Sequence, residues 1–376
     1  MRVVLDSFLK EVCEKTTEND QFPVLTSSKA GLFLQSDYFN KQVASTDNTG
    51  YKIIRRGQFT YRAMSDTGEF FPNMLECTDI GIVSPAYPVF EITKKNDVLP
   101  EYLKYYFKSD NFQYSIASFA QGSTRTSVKF SKLKTVSIDL PCVDKQRKII
   151  DILNRTKALI SAREKELQSL DNLIKARFVE MFGDPTINPK GYPIKSMSEI
   201  ADYWNGLTYK PEDISENGTI VLRSSNIQNM RLDFDDTVRV NCKIGEKKFV
   251  KDNDILMCSR NGSAKLVGKV ALIHGLTEPM SFGAFMMIIR SDYYPYLMTY
   301  YQLPAFRSQI TTGATTTINQ ITGNMLAKVM LPVPDKDAVG KFASFVAQVD
   351  KSKFAVQKAL DKAQLLFDSL MQKYFG

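Results

Sequence analysis

Six short runs concentrate the cations, hydroxyls and amides that can hold a phosphate or reach the edge of a base. In the first half of the chain they are "TSSK" with Ser27, Ser28 and Lys29, "IIRRGQFTYR" with Arg55, Arg56 and Arg62, and "QGSTRTSVK" with Thr124, Arg125, Thr126 and Lys129. In the second half they are "LRSSN" with Arg223, Ser224 and Asn226, "CSRNGSAK" with Arg260, Asn261, Ser263 and Lys265, and "TTGATTTINQ" with Thr316, Thr317 and Asn319. Any one of these reads equally well as a solvated turn. Their recurrence in both halves, with a Gly-Ser/Thr run ahead of the same downstream elements, points to a duplicated DNA reader.

Catalytic chemistry is harder to find. An adenine methyltransferase needs an [DN]-P-P-[YF] turn and a glycine-rich loop for its methyl donor, and the nearest approach is "NPK" at 188–190. No G-x-x-x-x-G-K-[ST] phosphate cradle is present. The carboxylates of "PDKD" at 334–337 could suggest a metal, but they stand where a helix begins, and acidic residues there cap the helix and meet its dipole. The single histidine, His274, has no close partners for a zinc site, and the five cysteines, at 13, 77, 142, 242 and 258, form no C-x-x-C pair. No cofactor and no metal is expected.

The 376 residues carry 49 Lys and Arg against 41 Asp and Glu, a formal charge of +8, which favours polyanionic partners. The length is enough for two domains. The opening "MRVVLDSFLKEVCEK" lacks the apolar core of a signal peptide, and the apolar stretch around "FGAFMMII" is too short to span a bilayer. A soluble protein of the reducing cytoplasm, without a membrane partner, is the expectation.

The elements that must position the six runs are written twice. Val128–Gly183 slides by 193 residues onto Ile321–Gly376 without a gap, so that Leu133 falls on Leu326, Val136 on Val329, Pro141 on Pro334, Leu167 on Leu360 and Phe182 on Phe375. Upstream, "YLKYYFKSDNFQYSI" at 102–116 echoes "YLMTYYQLPAFRSQI" at 296–310. The tyrosines of both are read as buried helix faces rather than base-stacking platforms. The blocks before them, 1 to about 100 and about 190 to 290, show no visible match.

Each copy opens with a short strand ("VSIDLPC", "VMLPVP") stopped by proline, and a long helix follows. Leu153, Ile160, Leu167, Ile174 and Met181 make a heptad row in the first helix. In the second, Phe342, Val349, Val356, Ala363 and Leu370 make one row, and Val346, Leu360, Phe367 and Tyr374 another, broken only by Lys353. Such seams predict a coiled coil, and two in one chain pack most simply antiparallel on each other.

The order of variable block, "GSTRTSVKFSKLKTVSIDLPCVDKQRKIIDIL", long helix, "FVEMFGDP", second variable block and shortened copy resembles the specificity subunit of type I restriction-modification enzymes. "DNDILMCSRNGSAKLVGKVALI" at 252–273 is similar to that family's strand-turn-strand, whereas Val339 stands where the first copy, like the family, has glutamine (Gln146). The resemblance implies an α/β (α+β) fold: two target recognition domains with small twisted sheets, joined by two long antiparallel coiled-coil helices in a pseudo-two-fold arrangement. The boundaries read as 1–143 for recognition domain 1, 144–184 for the central helix, 185–335 for recognition domain 2 and 336–376 for the C-terminal helix. It further implies a non-catalytic reader of a bipartite double-stranded DNA target, partnered by two methyltransferase subunits and by ATP-dependent restriction subunits. A specificity subunit of a type IIB-like enzyme and a self-contained metal-dependent nuclease are the alternatives.

Overall fold

The computed structural model describes residues 1–38, 47–119, 126–310 and 319–376. The chain divides into two compact units, Met1–Glu164 with Lys358–Gly376, and Lys165–Gln357. Two 40-residue helices, Val143–Phe182 and Lys336–Phe375, each contribute one half to each unit. At 1.5 Å per residue each is about 60 Å long.

The first unit holds a four-stranded antiparallel sheet in the order Leu9–Val12, Val89–Ile92, Phe59–Thr60, Asn73–Met74. Arg2–Val4 pairs antiparallel with Ser137–Asp139, the strand that leads into the first long helix. In the second unit the sheet runs Asp202–Asn205, Met286–Arg290, Ile255–Cys258, Val270–Leu272, and Ile194–Ser196 pairs with Met330–Pro332 ahead of the second helix. Numbered along the chain, both sheets have the spatial order first, fourth, second, third. The variable blocks, which share no visible sequence, therefore share a topology, and the duplication covers nearly the whole chain.

Leu153, Ile174, Val349 and Val356 are buried, and Ile160, Leu167, Met181, Leu360, Phe367 and Leu370 are half-buried. In the first unit the start of the central helix (Ile149, Leu153) shares a core with the end of the C-terminal one (Phe367, Leu370, Phe375). The second unit joins the end of the central helix (Ile174, Phe178, Phe182) to the start of the other (Val339, Phe342, Val349). Within each unit the two helices thus run in opposite directions.

The repeated Phe-Gly ending has its explanation in these cores. Phe182 packs edge-on against Tyr296 with ring centroids 5.1 Å apart, and its repeat-mate Phe375 lies 5.0 Å from Tyr102. Each helix starts in one unit and closes the core of the other. Tyr102, Tyr105, Tyr106, Tyr296, Tyr300 and Tyr301 are all buried, as expected of helix faces. Burial holds the Tyr102 and Tyr105 phenols up, at about 12.

Gly183 ends the central helix with its N–H donating to the Val179 carbonyl (2.8 Å) at φ +78°, a conformation that favours glycine. A Cβ there would also come within 2.4 Å of Pro189 Cγ. At the opposite end of the second helix, Asp335 accepts the Ala338 amide at 2.7 Å, which is the cap expected of "PDKD". In the second sheet, the guanidinium of Arg290 sits 4.9 Å over the ring of Trp204 and forms a two-pronged pair with the buried Asp254 (2.6 and 2.7 Å).

Candidate nucleic-acid interface

The second strand of each sheet delivers the polar residues. In the second unit Ile255–Cys258 is wholly buried, and Ser259, also buried, donates to the Phe285 carbonyl (2.9 Å) and accepts from Asn205 Nδ2 (3.2 Å). The chain then emerges at Arg260, where Arg260–Asn261 pairs antiparallel with Asn319–Gln320. Arg260 Nε and Nη2 donate to Gln320 Oε1 (3.2 and 2.7 Å), and the guanidinium lies 5.6 Å over the ring of Phe285, itself 59% exposed. Asn261 Nδ2 donates to Ser224 Oγ and Asn319 Nδ2 to the Gly262 carbonyl, each at 3.2 Å. Ser263 donates its N–H to Asn261 Oδ1 (3.0 Å), and Lys265 is exposed in the same turn.

The first unit repeats this construction. After Phe59–Thr60 the chain emerges at Arg62, and Met64–Ser65 pairs with Thr126–Ser127, whose position matches Asn319–Gln320 under the 193-residue shift. Thr126 Oγ1 donates to the Ser65 carbonyl (3.1 Å), and the buried Tyr61 hydroxyl donates to the Val128 carbonyl (3.0 Å). Arg62 is exposed, with Asp66 at 3.6 Å. Burial pushes the Tyr87 phenol up, and the charge of Arg62 opposes that push. Lys129 is exposed before the short helix Phe130–Leu133. Each unit thus sets an exposed arginine where the second strand leaves its sheet.

The remaining sequence-derived candidates are placed differently. Asn73 Nδ2 donates to Ser27 Oγ (3.0 Å) and to the Ser28 carbonyl (2.8 Å), while Lys29 pairs with Glu69 (3.0 Å) over the Phe71 ring. Arg55 and Arg56 lie on or beside a separate ladder, Lys52–Arg55 with Ile80–Val83, and are engaged by Glu14 and Asp79. The hydrogen bond with Arg55 holds the Glu14 carboxyl below its ordinary range. Arg223 pairs with Asp236 (2.8 Å). Asn226 is fully buried, accepts the Arg223 amide and donates to the carbonyls of Asp233 and Asp236, so it shapes the loop that carries Ser224. Thr124, Arg125, Thr316 and Thr317 lie outside the described residues.

Three residues of this surface were not singled out by type or spacing: Phe285, Gln320 and Asn205. Phe285 sits in the apolar stretch "FGAFMMII", and nothing local marks one ring of it as exposed.

Planar guanidinium, carboxamides and hydroxyls on an exposed edge are the groups that read bases, and Lys129 and Lys265, free of carboxylates among the described residues, suit phosphates. Residues 6–172 match the model described as the type I restriction modification DNA specificity domain. Over that segment the chain is similar to the type I DNA specificity domain family. The chain is 27% identical over 183 residues to the type I restriction enzyme StySPI specificity subunit of Salmonella potsdam, a match covering 45% of this chain and 39% of that protein. A second relative, the MjaIX specificity subunit of Methanocaldococcus jannaschii, is 29% identical over 130 residues, covering 31% of this chain and 30% of its own. The matched segments thus span well under half the length of these relatives.

In fold the likeness covers the whole chain. The type I restriction-modification S subunit from M. genitalium superposes on all of this chain and 96% of its own, with a TM-score of 0.53 at 15% identity. A chain from a structure of type I system assembly and conformational transition covers 100% and 97%, with a TM-score of 0.57 at 17% identity. The resemblance to specificity subunits, and the expected mixed fold with two long helices packed together, are both borne out. Among the described residues no helix is long and apolar enough to cross a membrane.

Proposed function

We propose that this chain is the DNA sequence-recognition subunit of a type I restriction-modification system, working in the cytoplasm and non-catalytic by itself. The observation that carries it is the twice-built edge, where Met64–Ser65 pairs with Thr126–Ser127 and Arg260–Asn261 with Asn319–Gln320, each returning strand lying ahead of a long helix and each edge carrying an exposed arginine, Arg62 or Arg260. Residues 1–143 and 185–335 each read one half of a bipartite target. The helices of 144–184 and 336–376 set the separation of the halves and dock two methyltransferase subunits, which ATP-dependent restriction subunits can join. Support for docking comes from exposed apolar side chains on the central helix, where Ile152, Leu159 and Leu173 fall on one heptad row outside the buried seam.

Sequencing of methylated adenines in a host carrying this chain and its methyltransferase tests the proposal. A bipartite site is expected, and Arg260→Ala should relax one position of one half, worth about 1–3 kcal/mol of discrimination, with the other half unchanged. Loss of specificity in both halves, or methyl transfer by the isolated chain, refutes it.

A further inference from the structure

On the exposed edge of the second unit, one guanidinium is fixed more closely than contact with a phosphate requires. Arg260 and Gln320 stand directly opposite each other across the Arg260–Asn261/Asn319–Gln320 pair, so their side chains share a face. Gln320 Oε1 accepts from both Arg260 Nε (3.2 Å) and Nη2 (2.7 Å). The carboxamide can stand only this way round, because a guanidinium has donors and no acceptor to offer an amide NH2. The Phe285 ring holds the plane from a second side, with its centroid 5.6 Å from Arg260 Cζ. That ring is anchored through its own backbone. The Phe285 carbonyl accepts the N–H groups of Ser259 (2.9 Å) and Arg260 (3.1 Å) and the hydroxyl of the buried Ser259 (2.9 Å).

The brace occupies one edge of the guanidinium and leaves the other. Nε–H and the near N–H of Nη2 go to Gln320, while the outer N–H of Nη2 and both of Nη1 have no acceptor among the described residues. Two parallel donors on an exposed, exposed-facing side chain complement the O6 and N7 acceptors that guanine shows in the major groove. Adenine and cytosine each present an amino donor there, which would meet the fork donor to donor. Gln320 cannot itself pair with adenine, because its acceptor already faces Arg260. A phosphate would take a guanidinium in many orientations and gains little from a brace, and the exposed Lys265 of the same turn suits that task. In the first unit, by contrast, Asp66 stands 3.6 Å from Arg62 Nη2, so the matching guanidinium is engaged.

We propose that Arg260 reads a guanine in the half-target of the second unit through its Nη1 and Nη2 fork, with Gln320 and Phe285 as positioning residues that hold the fork in plane. This rests on the chain being a DNA reader, and it adds the base selected and the two side chains that make the selection sharp.

The test is the mapping of methylated sites in a host carrying the full chain and its methyltransferase, for the parent and for four variants. The parent target should hold a G·C pair at a position of one half that Arg260→Ala opens to other bases, with discrimination there falling about five- to 150-fold. Gln320→Met, which keeps the length and removes the acceptor, should relax that same position alone, and Gln320→Glu, which keeps an acceptor, should retain the guanine. Phe285→Leu should weaken discrimination there about two- to fivefold. The intact other half reports that each variant is folded. In vitro, 7-deazaguanine at that position, which lacks only the N7 acceptor, should slow methyl transfer by the parent complex and leave the Arg260→Ala complex unaffected. Relaxation at an A·T pair, or a uniform loss of methylation with every position kept, overturns the guanine contact and leaves the recognition reading standing. A guanine retained at full discrimination in Gln320→Met and Phe285→Leu overturns the positioning roles. Absence of a bipartite site for the parent chain overturns both the contact and the reading on which it rests.

Discussion

Gln146 shows how one side chain decides what a duplicated helix start can do. It is fully buried; its Oε1 accepts the Leu99 amide at 2.9 Å, and its Nε2 donates to the carbonyls of Asp97 (2.8 Å) and Pro141 (2.9 Å). One buried carboxamide thereby satisfies three backbone groups. Its repeat-mate Val339 is buried among apolar side chains of the second core, and there the exposed pair Lys336–Asp292 (2.8 Å) ties the helix start to the preceding loop. The departure from the repeat is thus a change from a polar staple to an apolar plug. Gln146→Leu keeps the volume and loses all three bonds, so it should lower stability by about 2–3 kcal/mol, read as a shift of the urea midpoint. Val339→Leu adds a methylene to a packed site and should cost about 1–3 kcal/mol.

The helices show most directly what a sequence can and cannot disclose at the level of elements. Their seams were legible because apolar residues at heptad spacing have one way to be buried together, and even the interruption at Lys353 was visible. Its resolution was not. Lys353 is buried in the seam and donates to Asp171 Oδ1 at 2.5 Å, with Asp350 at 4.0 Å; Asp350 in turn pairs with Arg231 of the hairpin Ile227–Gln228/Arg231–Leu232 (3.0 Å). These partners come from 182 and 119 residues away, a separation that no local pattern encodes. The sheets were hidden for another reason. Phe59–Thr60 and Asn73–Met74 are two residues long, too short for any alternation to register. The polar edges were half legible: Arg62, Arg260 and Asn319 stand out by type, while the carboxylates that engage Arg55 and Arg56 and the exposure of Phe285 depend on tertiary packing. For the buried pair, Asp171→Ala strands an ammonium and should cost about 1–3 kcal/mol. Replacing both partners together, Lys353→Met with Asp171→Leu, should be neutral or stabilising, as denaturation midpoints will show.

For the molecule as a whole, each unit depends on a helix half that the other unit's helix half continues. Phe182 and Phe375 close cores in units other than those where their helices begin. Losing either core frees 40-residue helices from both, so the two should come apart in one transition. The placement of Trp204 makes this observable without any label. It is the only tryptophan in the chain, its Nε1–H donates to the Lys247 carbonyl (2.7 Å), and Arg290 lies over its ring, so its emission reports on the second sheet alone. Far-ultraviolet circular dichroism, dominated by helix, draws on both units. Emission and ellipticity recorded through the same urea titration should trace one superimposable curve, whereas a plateau of retained helicity after the tryptophan signal has been lost would mean that the first unit stands without the second.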